Sequence, residues 1–334
     1  MWGDPSVPFY KLVREAKERK FKVVATLQAL HFQSMETPYG VDKREYRLLK
    51  EVLPHLDALP VFSDGTRQAV IKAFPEYEDK LTVLRHGVQV YPAEISQDEA
   101  KKRFLENLIN QANISEVQEE EIKSLYEIFF SNKTVLVGSF GFITEDRDPL
   151  SVFQLRERLQ KKLPEHKVIG IYIGIIQKRA DKPRTETLPL LNQLKSIHDG
   201  SYNLFYEEYI PDEVLPFAFR ALDFTVIWYQ KATQSGRMAF AQGTGTCVVG
   251  RDIEGVGETL ALAGLPAAKT LDELAEKIER LVLEPERREE IERQGLDYAN
   301  RFSFEVQAQK HLLIQQAVCS GRQLPVLDSM LTGF

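Results

Sequence analysis

Short unbroken apolar runs alternate along this chain with longer stretches whose apolar residues recur at helical spacing. Tyr10 to Lys20 carries a Glu/Lys/Arg face and predicts a polar helix; the apolar run Phe21–Leu27 after it predicts a buried strand. An amphipathic helix is predicted from Lys43 to Leu56, strands at Leu59–Ser63 and Leu81–Leu84, and a helix between those strands over Thr66 to Phe74. This alternation is the pattern of a parallel sheet covered by helices.

A charged helical region then runs from Ser96 to Ser131. It includes the acidic run Glu119–Lys123, read as a solvated helix face, and an Asn-Ile-Ser turn starting at Asn113. After it the alternation restarts, with strands predicted at Thr134–Val137, Lys167–Ile173, Leu204–Tyr206, Phe224–Trp228 and Cys247–Val249. Helices are predicted over Pro149–Leu163, Thr185–Lys195, Pro211–Phe219 and Gly236–Gln242, with one final run from Leu271 to Ala299. Strands and helices alternating in this way predict a doubly wound sheet. A last amphipathic helix, Phe302 to Gln316, precedes an apolar tail ending at Phe334. The expected division is therefore a first α/β domain over 1–95, a helical connection over 96–131, a second over 132–300, and a carboxyl helix and tail over 301–334 that pack back on the first domain. No repeat or low-complexity segment is visible, which excludes a solenoid.

Composition narrows the function. The 43 Lys and Arg against 49 Asp and Glu give a net charge of −6, without the basic excess of a nucleic-acid or anionic-membrane binder. Cys247 and Cys319 stand far apart with no metal-ligand spacing, which argues against structural zinc or a disulfide scaffold and suits a reducing compartment. No secretory signal and no apolar stretch long enough for a membrane span is visible, so a cytoplasmic location is expected.

In open parallel sheets ligands bind beyond the carboxyl ends of the strands, which puts the loops after the predicted strands first. Gly138 to Arg147 leaves the first strand of the second half. Gly141 would let backbone approach a phosphate and Arg147 would clamp it, or the loop is a tight turn with a solvated arginine. Ser235, Gly236 and Arg237 open a helix, either as a diphosphate site or as a serine N-cap. The Gly-rich stretch Gly250 to Glu258 would line a nucleotide, with Glu258 near a sugar hydroxyl, or Glu258 is an ordinary acid in the first turns of a helix. His86 and His31 follow strands of the first half, where a histidine serves as acid, base or sugar ligand, or as a structural group. No zinc-protease motif, Walker loop or nucleophile elbow is present.

The order of these loops resembles the GT-B glycosyltransferases, especially the nucleotide-sugar-dependent family-4 type, over about residues 21–315. Leu81–Val88 is similar to the family's strand ending in a Gly-Val turn, and Val137–Ile143 to the start of its donor domain. Glu208–Pro216 with Arg220–Asp223 is similar to its segment between the third and fourth donor-domain strands. Gly245–Glu258 resembles "G-x-P-V-V…G-x-x-E", with Cys247 at the proline position. The resemblance implies two Rossmann-like domains, the first reduced, and transfer of a sugar from a nucleotide-sugar donor to an unknown acceptor, with no metal and no cofactor beyond the donor itself. It implies donor diphosphate contacts from Gly141, Arg147, Ser235, Gly236 and Arg237, nucleoside or sugar contacts from Tyr209, Gln242 and Glu258, and His86 and His31 as catalytic candidates.

Two departures qualify this. Family members clamp the diphosphate with an arginine and a lysine. Here Ser139 occupies the arginine position, and Arg147 reaches the lysine position only through a short insertion. The family's paired glutamates fall at Ala232 and Phe240. Family members also carry further elements before the equivalent of Phe21–Val24, so the chain is either shortened at its amino terminus or has a reduced first domain. Such a domain leaves apolar surface for a second copy or a partner subunit to cover. The alternative function is therefore a non-catalytic binding or regulatory subunit.

Overall fold

The computed structural model describes residues 9–91, 95–110, 115–179, 182–183 and 185–328. The first unit comprises α1 (Phe9–Glu18), α2 (Lys43–Val52), β1 (Leu59–Val61), α3 (Asp64–Ala73) and β2 (Leu81–Val83). β1 and β2 pair in parallel from Leu59↔Leu81 to Val61↔Val83. Every residue of both strands is buried, as expected of short strands covered on both faces. Ser63 caps α3, its hydroxyl accepting from the Thr66 amide at 3.1 Å.

Phe21–Leu27 is not a strand. Only Val24 pairs, in an isolated parallel bridge with Ala58. The Asp57 carboxylate accepts the Val23 amide at 2.8 Å, so a side chain takes the donor a ladder would use. The run also alternates in burial, with Phe21 exposed and Ala25 and Leu27 buried, as suits a half-covered edge segment.

Two helices follow, α4 (Gln97–Ile109) and α5 (Glu116–Phe129). Ser115 and Gln118 form a capping box at the start of α5; Asn113 of the expected turn lies outside the described residues. Phe104, Leu105 and Leu108 of α4 and Ile122, Leu125 and Phe129 of α5 join the same buried cluster as Phe140 and Phe219 of the second unit.

That unit contains β3 (Thr134–Phe140), α6 (Leu150–Lys162), β4 (Lys167–Ile173), the hairpin β5 (Lys178–Arg179) and β6 (Lys182–Pro183), α7 (Leu188–Ile197) and β7 (Asn203–Tyr206). It continues with α8 (Leu215–Ala221), β8 (Phe224–Ile227), α9 (Gly236–Gln242), β9 (Cys247–Arg251), α10 (Glu254–Leu262) and β10 (Ala267–Ala268). The six-stranded parallel sheet runs β10-β9-β8-β3-β4-β7, so strand order reverses between β3 and β8. That reversal is where an open α/β sheet leaves a crevice. Alternation along β3 sends Val135 and Val137 into one buried layer and Leu136 and Phe140 into the other.

The expected single run Leu271–Ala299 is two helices, α11 (Leu271–Leu283) and α12 (Pro285–Arg301). Pro285 cannot continue α11 and instead starts α12, with Glu284 between them out of the helical conformation (φ −122, ψ 75). Then α13 (Phe304–Ser320) and residues 321–328 return to the first unit, where Ile314, Val318 and Leu327 pack with Ala58 and Leu84. Among the described residues no helix is long and apolar enough to cross a membrane.

Candidate functional site

A cleft of about 600 Å³ opens at the carboxyl ends of β3, β4, β7 and β8, facing Gln28, Ala29 and His31 of the first unit. It lies at the switch point of the sheet. The two units meet beside it through hydrogen bonds: the Thr233 hydroxyl donates to the Gln28 carbonyl at 2.9 Å, and Lys231 pairs with Asp42 at 2.6 Å.

β3 continues to Phe140, so Gly138 and Ser139 are strand and the loop begins at Gly141. Gly141 has φ +127, a conformation that a side chain strains to adopt. The β4 end presses on this turn so closely that a Cβ on Gly174 would lie 1.9 Å from the Gly141 carbonyl oxygen. A helical turn at 145–147 then brings Arg147 back over the Phe142 ring. The Gln230 amide, donating to the Asp146 carbonyl at 2.8 Å, fixes that turn to the end of β8.

Arg237 reaches the same point from α9. Its Nη1 donates to the Phe140 carbonyl at 2.6 Å and the Ser139 hydroxyl at 3.1 Å, and its Nε donates to the Tyr229 hydroxyl at 3.0 Å. Among the described residues no carboxylate lies within ion-pair distance of Arg237, and the Tyr172 hydroxyl is a further hydrogen-bonding neighbour of its guanidinium. Burial raises the Tyr229 hydroxyl, but Arg237, the Ser235 hydrogen bond and Arg147 outweigh it and hold the phenol below its ordinary value. Positive charge is thus focused at one end of the cleft.

Ser235 is an N-cap, its hydroxyl accepting from the Met238 amide at 3.1 Å and bonding the Tyr229 hydroxyl at 2.8 Å. Gly236 lines the cleft, and a Cβ there would meet nothing within 4 Å. Tyr209 stands at the rim, 55% exposed, with its hydroxyl donating to Asp212 at 3.0 Å.

On the opposite wall, the His31 Nδ1 lies 2.8 Å from the Glu254 carboxylate, which also accepts from the Phe32 and Gln33 amides at 3.1 and 3.3 Å. His31, Asp42 and Glu45 each bring a possible ligand atom within 4.8 Å of the others, a spacing that suits a cation; the Lys231 ammonium at Asp42 supplies a positive charge there. Glu45 is buried, which pushes its carboxyl up to about 7 from an ordinary 4.5, with His31 opposing the shift. Folding therefore takes up a proton between those values, and this group's contribution to stability is lost as pH rises through about 7. Glu45→Gln is accordingly expected to gain stability relative to the parent on going from pH 5 to pH 8. Urea midpoints at both values test it, and an unchanged difference between the two proteins would refute it.

Three sequence candidates are not brought to the cleft. His86 is wedged between Phe62 and Phe304, its Nδ1 on the Gly87 carbonyl at 2.7 Å, and burial lowers its pKa. Gln242 is buried on α9 away from the cleft. Glu258 sits one turn into α10 and accepts from the Asp64 and Gly65 amides of α3 at 2.8 and 3.1 Å, so it caps a helix of the other unit. The glycines around it serve packing. A Cβ on Gly255 would lie 2.0 Å from the Thr233 carbonyl, and one on Gly250 2.6 Å from that of Ile227. Two residues that shape the cleft are not among the sequence candidates: Tyr229, which lines it, and Glu254, which holds the lining residue His31. Tyr229 immediately follows a predicted strand end and was legible there; Glu254 reads in sequence only as a helix-start acid.

No protein-family model and no curated protein matches the chain. Solved structures do. A UDP-forming alpha,alpha-trehalose-phosphate synthase from Burkholderia xenovorans superposes with TM-score 0.69 at 14% identity, over 93% of this chain and 72% of that one. A trehalose-6-phosphate structure from E. coli bound with UDP-2-fluoro glucose gives 0.66 at 13%, over 91% and 70%. Anabaena Alr3699/HepE in complex with UDP and glucose gives 0.59 at 13%, over 92% and 76%. At these identities the likeness establishes the fold, the GT-B arrangement of two Rossmann-like domains.

Proposed function

We propose that this chain transfers a sugar from a nucleotide-sugar donor to an acceptor, with the donor diphosphate held between Arg147 and Arg237. The observation that carries this reading is Arg237, part-buried at the switch-point cleft with no carboxylate in ion-pair reach among the described residues. A cation withdrawn from water without a counter-charge is costly, and a diphosphate returns that charge in the bidentate geometry a guanidinium favours. Its Nη1 also touches Ser139, where the resembled family carries its arginine, so the missing cation is supplied from α9 instead. Gly236 leaves open space beside its backbone, as close approach of a phosphate requires, while Gly141 makes room for the Arg237 side chain, whose Cδ would lie 2.9 Å from a Cβ there. The finer, family-4 reading is supported by the Gly245–Glu258 pattern.

One observation favours binding without turnover: Ala232 and Phe240, the positions of the family's glutamates, both line the cleft and carry no carboxylate. Thermal melts with a panel of nucleoside diphosphates and nucleotide sugars, UDP and UDP-glucose among them, test the donor site. A ligand present at about 100 times its Kd adds about 2.7 kcal/mol of stability. No stabilisation by any member of the panel would remove the donor-site reading. Binding without release of the nucleoside diphosphate would leave the binding-subunit reading.

A further inference from the structure

The side chains of β2 are covered on both faces, yet the outer backbone edge of the strand lines a groove of about 630 Å³ that shares no lining residue with the cleft. The parallel register Leu59↔Leu81 to Val61↔Val83, with the Leu84 amide donating to the Val61 carbonyl at 2.9 Å, turns the amide and carbonyl of Thr82 toward β1. Those of Leu81 and Val83 therefore point outward, into the groove. The Leu81 amide donates to the Glu78 carbonyl. The Leu81 carbonyl and both backbone groups of Val83 have no partner among the described residues. Thr82 faces the returning tail, its hydroxyl donating to the Pro325 carbonyl at 2.9 Å, whereas Leu81 and Val83 join the buried cluster that includes Val70 of α3. The tail thus walls the groove on one side, and α3 with the helical turn Pro75–Lys80 on the other.

The lining carries five carboxylates, those of Asp64, Glu76, Glu78, Asp79 and Asp328, against the one guanidinium of Arg67. Arg85 pairs with Asp64 and Asp328, and Arg67 with Glu78 at 3.2 Å. Glu76 and Asp79 are exposed and have no ion-pair partner among the described residues. We propose that this edge takes a further strand from a partner protein, an extended segment bearing lysine or arginine. Pairing to the Leu81 carbonyl and to Val83 holds the incoming backbone, and its alternate side chains carry positive charge to Glu76 and Asp79. The same carboxylates turn away neutral and acidic strands from an edge that would otherwise template any exposed chain. A small cation would satisfy the carboxylates and leave Val83 unpaired, which separates the two kinds of ligand. The proposal is independent of the donor reading, since no cleft residue takes part.

The probe is the peptide Lys-Val-Lys-Val-Lys-Val, and the readout is amide hydrogen exchange at Val83 in the full chain. Without peptide, the Val83 amide should exchange faster than that of Leu84, which donates to β1. With peptide at about ten times its Kd, exchange at Val83 should slow about tenfold, because only about a tenth of the molecules remain free. The peptide Glu-Val-Glu-Val-Glu-Val lacks the charge, and the lysine peptide N-methylated on alternate residues lacks the donors; neither should slow Val83. Glu76→Lys combined with Asp79→Lys should abolish the slowing with a thermal melt like the parent's, as expected of exposed positions. Equal slowing by the N-methylated peptide would make the groove a cation site and overturn the strand reading, as would no slowing by the lysine peptide. Protection of Val83 without peptide also overturns it: release on truncation after Asp328 would assign the edge to the chain's own residues 329–334, and release on dilution to a second copy.

Discussion

Arg237→Ala is expected to weaken UDP binding by on the order of 10²-fold, about 2.7 kcal/mol, measured by calorimetric titration at fixed ionic strength. The guanidinium is already oriented before any ligand arrives. Nη1 is fixed on Phe140 and Ser139, Nε on Tyr229, and the ring of Tyr229 lies 5.1 Å from the charge. An anion bonding to the guanidinium therefore orders little that is not ordered already, and loss of the group forfeits nearly the full charge-assisted interaction. Arg237→Lys should recover only part of the affinity, because an ammonium cannot hold Phe140, Ser139 and Tyr229 and still present a second donor. Arg147→Ala should cost less, since that side chain lies over Phe142 and contacts its carbonyl only at 3.5 Å. UDP bound equally well by Arg237→Ala and the parent would show that the cleft's positive end is not the diphosphate site.

How much of this was legible follows from what each residue interacts with. β3 and β4 lie between two helical layers, so both faces are apolar and the runs Thr134–Val137 and Lys167–Ile173 announce themselves. β10 is two alanines, with no period to detect. The Phe21 run was misread because composition reports apolarity, whereas the Asp57 carboxylate decides whether a ladder forms. In the site, the rule that ligands gather at strand ends finds loops rather than directions. It finds the loops of Gly141, Arg147, Ser235, Gly236 and Arg237, which converge on one cleft. It cannot tell a glycine that makes room for a phosphate from Gly255, which makes room for the Thr233 carbonyl. Nor can it find a pair such as His31 and Glu254, whose partners lie 223 positions apart and meet only once both units are folded.

The same limit explains why Arg85, which follows β2 in a segment singled out for its histidine, is expected to matter more for stability than any residue singled out in sequence. Its side chain is 2% exposed and reaches three carboxylates: Glu258 of α10, Asp64 of α3 and Asp328 of the returning tail. Those pairs hold its guanidinium well above the ordinary arginine value despite burial. Arg85→Ala leaves three negative groups facing one another around a vacated site. Removing one partner of a buried ion pair costs about 3–5 kcal/mol; Asp64 and Asp328 are exposed and regain water, which places the expected loss at about 3 kcal/mol. Asp328→Asn, by contrast, removes one of three partners at an exposed position and should cost under about 1 kcal/mol. Because Arg85 and Glu258 belong to different units, the loss should be accompanied by a second transition in urea unfolding as the first unit opens ahead of the sheet. A single transition with a midpoint matching the parent's would mean that the apolar contacts of α13 and the tail, Ile314, Val318 and Leu327 against Ala58 and Leu84, hold the units together without the ionic cluster.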